Sequence, residues 1–344
     1  MSFTDKSRTQ LAQRMDRIMV SIVVPVYNER DVLPSLYARL NKVLEQLKLN
    51  YEIVMVDDGS QDGSVEFLFD LVGRSSAVKV VCLSRNFGKE AAMTAGIDQA
   101  LGDAIIILDA DLQDPPELIP KMLMAFNGGA DIVAMKRRSR EGDSLAKRLS
   151  ALLYYRLLKR ISHVEIPQDT GDFRLMSRRA ITALQNLPER NRYMKGLFAW
   201  VGFPTHVIEY DREPRAAGET KWNFFSLLSL AFEGITSFSI APLRWAASLG
   251  LLVATISFLF GAWMLSSSLL LDVPADGNSS LAVLITFMGG GQLMFIGLVG
   301  EYVGKTYYEA KQRPLYVIRD VLQKQPVYSQ ATSRTEGVHH AVSK

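Results

Sequence analysis

The sequence predicts an α/β protein, with an open and mostly parallel β-sheet domain followed by apolar helices. Three observations lead to this prediction. Short β-branched runs alternate with amphipathic stretches between residues 20 and 135, which is typical of βα units. Two charge-free apolar runs follow at 245–271 and 279–300. The mean hydropathy of the 344-residue chain is +0.07, which is high for a soluble enzyme.

Five short apolar segments are the candidate strands. They are 20–26, 51–57, 78–84, 104–110 and 130–136. Each is a nearly continuous apolar run, as expected for a parallel strand that is covered on both faces. The stretch 32–47 between the first two has the spacing of an amphipathic helix. Ligands of such sheets bind beyond the carboxyl ends of the strands, so the polar segments that follow the strands are the candidate site.

Composition excludes several classes of protein. A net charge of +3 gives no support to nucleic-acid binding by bulk charge. The single cysteine, Cys82, excludes an internal disulfide framework and a multi-cysteine zinc site. Neither a dinucleotide-binding glycine motif nor a P-loop is present, so a bound phosphate must be held by a metal ion and basic side chains.

Two carboxylates follow the fourth predicted strand at a spacing that suits a metal ion. Asp109 and Asp111 point the same way if the strand end is extended, and they repel each other unless a cation lies between them. Oxygen ligands at this spacing suit Mg²⁺ or Mn²⁺, and Gln113 could add a ligand or hold a metal-bound water. The alternative is a turn with helix-capping aspartates, which accounts well for Asp114 and Glu117 before and within a predicted helix.

The segment after the second predicted strand is open to two interpretations. Asp57 and Asp58 precede Gly59 and Ser60, a sequence that is ordinary in turns. The functional alternative is that a carboxylate there accepts a hydrogen bond from a nucleotide base.

The apolar runs 245–271 and 279–300 predict two transmembrane helices. The loop between them is acidic and the tail after residue 304 is basic, which predicts that the N-terminal domain and the tail are cytosolic. The stretch 222–243 is predicted to form amphipathic helices at the membrane surface, the alternative being an ordinary domain helix. No signal peptide is expected. The predicted division is an N-terminal extension (1–17), a catalytic domain (18–221), interfacial helices (222–243), a transmembrane anchor (244–304) and a cytosolic tail (305–344).

Four motifs in order give the chain a resemblance to a known family. They are P-V-Y-N-E at 25–29, D-D-G-S at 57–60, N-x-G-K at 86–89 and D-A-D-L-Q-D-P-P-E at 109–117. This set resembles the GT-A fold glycosyltransferases of family 2, and more narrowly the polyprenyl-phosphate glycosyltransferases. The likeness continues through 169–175, 215–222 and 237–244 and covers roughly residues 18–320.

The resemblance implies a set of site residues. A metal ion, Mg²⁺ or Mn²⁺, is expected on Asp109, Asp111 and Gln113. The nucleotide is expected on Pro25, Tyr27, Glu29, Asp58, Gly88, Lys89, Asp109 and Ala110. The expected catalytic residues are Asp111 and Asp172. The expected ligands of the acceptor and diphosphate are Lys136, Arg137, Arg138, Arg174, Arg215 and Lys221.

The reaction that the resemblance implies is inverting transfer of a hexose from a nucleotide-sugar, UDP-glucose in the bacterial members, to undecaprenyl phosphate. Related enzymes form tetramers, so a homo-oligomer in the cytoplasmic (inner) membrane is expected, with membrane lipid around it. Two alternatives stay open. One is transfer to another lipid such as diacylglycerol, with Asp172 as base; the other is a non-enzymatic membrane scaffold or a partner of sugar-lipid flipping.

Overall fold

The computed structural model of the chain describes residues 18–138, 170–190, 192–213, 236, 241–271 and 278–324. One eight-stranded sheet organises the described part of the N-terminal domain. Its strands are β1 (Met19–Val26), β2 (Asn50–Asp57), β3 (Val78–Leu83), β4 (Ala104–Ile107), β5 (Ile132–Arg137), β6 (Thr170–Ser177), β7 (Thr205–Tyr210) and β8 (Ile318–Gln323).

The strand order is β7-β5-β6-β4-β1-β2-β3-β8. The four central strands β4, β1, β2 and β3 are parallel, and so is the pair β5 and β7. β6 runs antiparallel to both β4 and β5, and β8 runs antiparallel to β3. All five predicted strands are confirmed, whereas β6, β7 and β8 are additional strands that the sequence analysis did not include.

Helices cover both faces of the sheet. They are α1 (Leu33–Leu47), α2 (Ser64–Arg74), α3 (Lys89–Gln99), α4 (Ile119–Asn127), α5 (Arg178–Gln185) and α6 (Met194–Trp200). Two apolar cores result, one on each face, and the four central strands are buried over almost their whole length. Gly96 lets α3 approach the sheet closely, because a Cβ there would lie 2.3 Å from Cγ1 of Val23.

Two long helices follow, α7 (Ala241–Leu271) and α8 (Asn278–Ala310), and they contact each other. Of the described helices, α7 contains the one segment that is long and apolar enough to cross a membrane, Pro242–Phe260, with a mean hydropathy of 1.7. The second predicted span, 279–300, lies on α8 and is not supported by this criterion. Most of the predicted interfacial stretch 222–243 lies outside the described residues.

The chain returns to the sheet after α8. β8 pairs with β3, and the backbone amide of Ser84 donates to the carbonyl of Val317 over 2.9 Å. Tyr316 also donates a hydrogen bond of 2.6 Å to the carboxylate of Asp98 on α3. The segment after α8, which the sequence analysis treated as a tail, therefore contributes the edge strand of the catalytic sheet.

Candidate active site

The carboxyl ends of β1, β2 and β3 carry loops that bind one another. Asn28 adopts a left-handed conformation with φ of 53°, and its side-chain oxygen accepts a hydrogen bond from the amide of Gln61 over 2.8 Å. Hydroxyl groups of the second loop bind the backbone amides of the first, at 3.0 Å from Ser60 to Asn28 and 3.1 Å from Ser64 to Glu29. These contacts fix the segment that contains the predicted nucleotide ligands.

Of those predicted ligands, Pro25 pairs with β2 inside the sheet, whereas the side chain of Tyr27 is 38% exposed at its end. Glu29 lies where α1 begins, because its carbonyl accepts hydrogen bonds from the amides of Val32 and Leu33. Tyr27 therefore offers an accessible aromatic ring at the carboxyl edge, whereas Pro25 lies within the sheet.

The two aspartates after β2 bind backbone amides. Asp57 accepts hydrogen bonds from the amides of Gly59 and Ser60, as in an Asx turn. Asp58 is 2% exposed and accepts from the amides of Phe87 and Gly88 over 2.7 and 2.9 Å. Burial raises the pKa of Asp58, and these two hydrogen bonds oppose the rise only in part. The turn interpretation of Asp57 thus has clear structural support.

A lysine joins the carboxylates that follow β4 and begin β6. The ammonium of Lys89, the first residue of α3, lies 2.8 Å from Oδ2 of Asp109 and 2.6 Å from Oδ2 of Asp172. Burial alone would lower the pKa of Lys89, but the two carboxylates outweigh it and raise the pKa well above its usual value. Burial likewise acts to raise the pKa of Asp172, yet Lys89 holds that pKa well below its usual range. One cation therefore joins the carboxylates of Asp109 and Asp172.

Asp111 and Asp114 lie deeper in the same loop. Asp111 is 7% exposed, and its Oδ1 accepts a hydrogen bond from the amide of Gln113 over 3.1 Å. Asp114 accepts from the hydroxyl of Tyr210, and burial raises the pKa of Asp114. The guanidinium of Arg212 lies 3.9 Å from both carboxylates. Ala110, between the two predicted metal ligands, is buried, so only its backbone is available to a nucleotide.

The basic residues predicted to hold the acceptor differ in their surroundings. Lys136 and Arg138 form ion pairs of 3.0 and 3.2 Å with Glu209 and Asp211. Arg174 is buried, donates to the carbonyl of Gly171 over 2.7 Å, and stacks 3.8 Å above the ring of Phe198.

Burial lowers the pKa of Arg174 to about 10, and Asp172 nearby opposes that change. A Cβ at Gly171 would lie 3.4 Å from the guanidinium of Arg137, which places that group beside β6. Arg174 thus stands close to Asp172, whereas Arg137 lies beside Gly171 and Tyr210. Arg215 and Lys221 lie outside the described residues.

Sequence reasoning missed two members of the site, Tyr210 and Arg212. Tyr210 is the last residue of β7, and Arg212 follows it. Because β7 is parallel to β5, its carboxyl end reaches the same edge of the sheet as the other site residues. The signal was present in the sequence as T-H-V-I-E-Y followed by D-R, a short alternating strand with charges at its end.

The donor chemistry at this edge suits a hard divalent cation. Asp109 and Asp111 offer carboxylate oxygens, and Gln113 offers an amide oxygen. Among the described residues, no group of three or more histidine, cysteine, aspartate or glutamate side chains is arranged to hold a metal ion. Mg²⁺ needs no such cage, because it commonly binds one or two carboxylates together with waters and substrate phosphates. The residues present therefore fit such an ion.

The sheet order, the loops at its carboxyl edge and the paired acidic residues define a glycosyltransferase domain of the GT-A type. The family model for glycosyl transferase family 2 matches residues 21–184. A bactoprenol glucosyl transferase of Shigella phage SfV is 46% identical over 305 residues, which cover 89% of this chain and 99% of the phage protein.

An uncharacterized glycosyltransferase of Synechocystis is 47% identical over 304 residues, covering 88% of this chain and 96% of that protein. Among solved structures, glucosyl-3-phosphoglycerate synthase from Mycobacterium tuberculosis aligns with a TM-score of 0.47 at 16% identity, over 66% of this chain and 81% of that one. The chain belongs to glycosyltransferase family 2, in the polyprenyl-phosphate glycosyltransferase group.

Proposed function

We propose that this enzyme transfers a hexose, glucose from UDP-glucose, to undecaprenyl phosphate, with inversion at the anomeric carbon and with the help of Mg²⁺ or Mn²⁺. The name of the phage relative, a bactoprenol glucosyl transferase aligned over 99% of its length, supports this donor sugar and acceptor. The product, a polyprenyl-phosphate sugar, would serve glycosylation on the far side of the membrane.

The observation that carries the choice of acceptor is the ion pair between Asp172 and Lys89. Their 2.6 Å contact keeps the pKa of Asp172 well below its usual range, so this carboxylate is a weak base. A hydroxyl acceptor such as that of diacylglycerol needs a base, whereas a phosphate monoester, with a second pKa of about 6, is largely anionic at neutral pH. Because Asp172 is a weak base, the site suits a phosphate acceptor better than the hydroxyl acceptor of the glycolipid alternative.

The proposed metal ligands are Asp109, Asp111 and Gln113. When bound there, Mg²⁺ or Mn²⁺ supplies Lewis-acid stabilisation of the departing nucleoside diphosphate. Catalysis by the chain itself then consists of aligning donor and acceptor for direct displacement, which inverts the anomeric carbon. In this proposal Asp172 orients the sugar or the acceptor phosphate, and Asp111 would act as a ligand of the metal ion that stabilises the leaving group.

The remaining site residues divide between the two substrates. The proposed nucleotide ligands are Pro25, Tyr27, Glu29, Gly88, Lys89, Asp109 and Ala110, and the proposed role of Asp58 is to hold the backbone of Phe87 and Gly88 in place beside the nucleotide. The proposed ligands of the acceptor and diphosphate are Lys136, Arg137, Arg138, Arg174, Arg215 and Lys221. The location of Arg174 beside Asp172 supports a role for it at the acceptor phosphate, and Arg137, beside Gly171 and Tyr210, is proposed to act there as well. A buried guanidinium group such as that of Arg174 would be a favourable partner for an anion that enters the site.

The helix pair is proposed to anchor the enzyme in the cytoplasmic membrane. At about 1.5 Å per residue, α7 is about 46 Å long and α8 about 50 Å, and either exceeds a hydrocarbon core of about 30 Å. β8 follows α8 and pairs with β3 in the catalytic sheet. If α7 crosses the membrane, α8 must cross back for β8 to reach that sheet. This argument supports two spans, with the catalytic domain and the tail in the cytosol.

Exposed aromatic side chains lie at the sheet-proximal ends of the two helices. Trp245 near the start of α7 is 52% exposed, and Tyr307 and Tyr308 near the end of α8 are 55% and 66% exposed. Aromatic residues favour the membrane–water interface, so these three support an interface at this level.

Two further points are proposals. One is the domain division at 18–221, 222–243, 244–304 and 305–344. The other is a homo-oligomer that forms through the glycine-rich α8.

A transfer assay with two acceptors tests the proposed reaction. Purified full-length protein is given Mn²⁺, radiolabelled UDP- and GDP-sugars, and either undecaprenyl phosphate or diacylglycerol. We expect lipid-extractable label from UDP-glucose with undecaprenyl phosphate alone, abolished by EDTA. Label in diacylglycerol instead would favour the glycolipid alternative, and binding of UDP without transfer to either lipid would contradict both.

Cysteine labelling tests the topology. In a Cys82→Ala background, Ala275→Cys is placed between the two helices in sequence and Lys311→Cys follows the second helix. With sealed inverted vesicles, an impermeant maleimide should label position 311 and leave position 275 unlabelled. Labelling of both positions would show that the pair does not span.

A further inference from the structure

Lys89 lies at the point where two site carboxylates from distant parts of the chain converge. Its ammonium is within 2.8 Å of both oxygens of Asp109 and 2.6 Å from Oδ2 of Asp172. Asp109 is also a proposed metal ligand. The lysine thus supplies positive charge to the same carboxylate that would bind the divalent cation.

The Lys89 side chain has partial access to solvent, although its ammonium lies among buried groups that desolvate it. It is 44% exposed, whereas the carboxylates of Asp109 and Asp172 are 18% and 14% exposed. A second lysine shows the contrast: Lys79 is 6% exposed, lies 3.3 Å from Glu52, and also donates to the carbonyl of Gln99. Lys79 is enclosed by the fold, but Lys89 can turn on its flexible stem toward a ligand that arrives from solvent.

Lys89 and a divalent cation would compete for Asp109. An ammonium at ion-pair distance from a carboxylate repels a divalent cation on the same carboxylate, and in a partly buried site this repulsion is poorly screened. The diphosphate of a nucleotide-sugar would offer Lys89 an alternative anionic partner. Its arrival would therefore release Asp109 for the metal ion.

We propose that Lys89 takes the charge position of the divalent cation on Asp109 in the free enzyme and turns from Asp109 to the donor diphosphate on binding, while it keeps its contact with Asp172, which makes metal and nucleotide binding cooperative. This inference rests on the proposed function. It also assigns Lys89 a positioning role toward Asp109 and Asp172 in addition to contact with the nucleotide. Because binding linkage is reciprocal, the nucleotide strengthens metal binding by the same factor as the metal strengthens nucleotide binding.

Titration of the full-length protein with Mn²⁺, followed by electron paramagnetic resonance, tests the inference without any turnover. In the wild type, UDP should raise the affinity for Mn²⁺ by about tenfold or more, within the usual range of such coupling. In Lys89→Met, Mn²⁺ alone should bind more tightly than in the wild type, and the effect of UDP should fall below about threefold. Lys89→Arg, which keeps the charge, should retain most of the coupling.

Lys121→Met, on the exposed side of α4, is the matched control and should behave as the wild type. Equal Mn²⁺ affinity and equal UDP coupling in wild type and Lys89→Met would overturn the inference while leaving the metal site in place. Absence of Mn²⁺ binding in every variant, with and without UDP, would overturn the metal part of the proposed function as well. Circular dichroism confirms folding, and if Lys89→Met does not fold, Lys89→Gln takes its place.

Discussion

Two groups of carboxylates stand at the same edge of the sheet but have different partners. The first half of this edge holds Asp57 and Asp58 at the end of β2, and the second half holds Asp109 after β4 and Asp172 in β6. Asp57 and Asp58 accept hydrogen bonds from backbone amides of the loops around them. Asp109 and Asp172 are paired with the side chain of Lys89. A backbone amide cannot leave its partner without unfolding the loop, whereas a side-chain cation can. The comparison indicates which half of the edge is fixed by the fold and which can exchange partners with a substrate.

The largest effect is expected at Asp111. Asp111→Asn removes one of two proposed metal-binding carboxylates, so transfer should fall by about 10²- to 10³-fold, as when one group that stabilises a developing charge is removed. Steady-state transfer to undecaprenyl phosphate measures this. Asp70→Asn, an exposed aspartate on α2 paired with Arg74, is the control and should retain full activity. Activity of Asp111→Asn within threefold of the control would exclude this role.

A smaller loss is expected at Asp172. Because the proposed acceptor, a phosphate, needs no strong base, Asp172→Asn should reduce kcat by about 10- to 100-fold through lost alignment. The pH profile of kcat/KM should keep its shape in the variant. Loss of a titration step from that profile, together with a loss beyond about 10⁴-fold, would identify Asp172 as a general base and contradict the account.

Asp58 tests the claim that the carboxylates at the end of β2 are held by the fold. Asp58→Asn replaces one of two accepting oxygens by an amide group that faces a backbone donor, and leaving that donor unpaired should destabilise the protein by about 1–3 kcal/mol. Urea unfolding of the variant measures this. An unchanged free energy of unfolding, with nucleotide binding lost, would instead place Asp58 among the groups that act directly on substrate.

The smallest effect is expected at Asp131, which precedes β5 at the end of the sheet opposite the candidate site. Asp131 binds Arg179 and accepts a 2.8 Å hydrogen bond from Ser177, and the hydrogen bond from Arg179 holds the pKa of Asp131 below its ordinary value of 3.8. A lowered folded-state pKa contributes stability above pH 3.8 that is lost as the pH falls toward the folded pKa.

Asp131→Asn should therefore be less stable than the wild type at pH 7, and the difference should shrink in acid. Thermal unfolding from pH 7 to pH 3 tests this, and a difference independent of pH would contradict it.

The sequence was sufficient to predict the four central strands and β5, because all five are short apolar runs of the kind that a doubly covered parallel sheet requires. β7 and β8 were missed because edge strands carry polar side chains, as the exposed positions of β8 show. β6 was missed as well, and it provides Asp172 and the antiparallel link between β4 and β5.

The acidic residues of the site could be predicted from their positions at the strand ends, but the groups that they bind could not. Asp58 accepts hydrogen bonds from the amides of Phe87 and Gly88, which lie 29 and 30 residues further along the chain, so these contacts depend on how two loops meet in space. Arg212 and Tyr210 enter the site only because β7 is parallel to β5. Contacts of this kind depend on tertiary structure and have no local pattern in the sequence.

The most direct test of the contrast is a paired comparison of Asp109→Asn and Asp58→Asn, with transfer rate and free energy of unfolding measured on each. The account predicts that Asp109→Asn loses at least about 100-fold in transfer with little loss of stability. Asp58→Asn should lose stability and keep most of its transfer rate per folded molecule. The opposite pattern, a stable but inactive Asp58→Asn and an active Asp109→Asn, would contradict the assignment of the two halves.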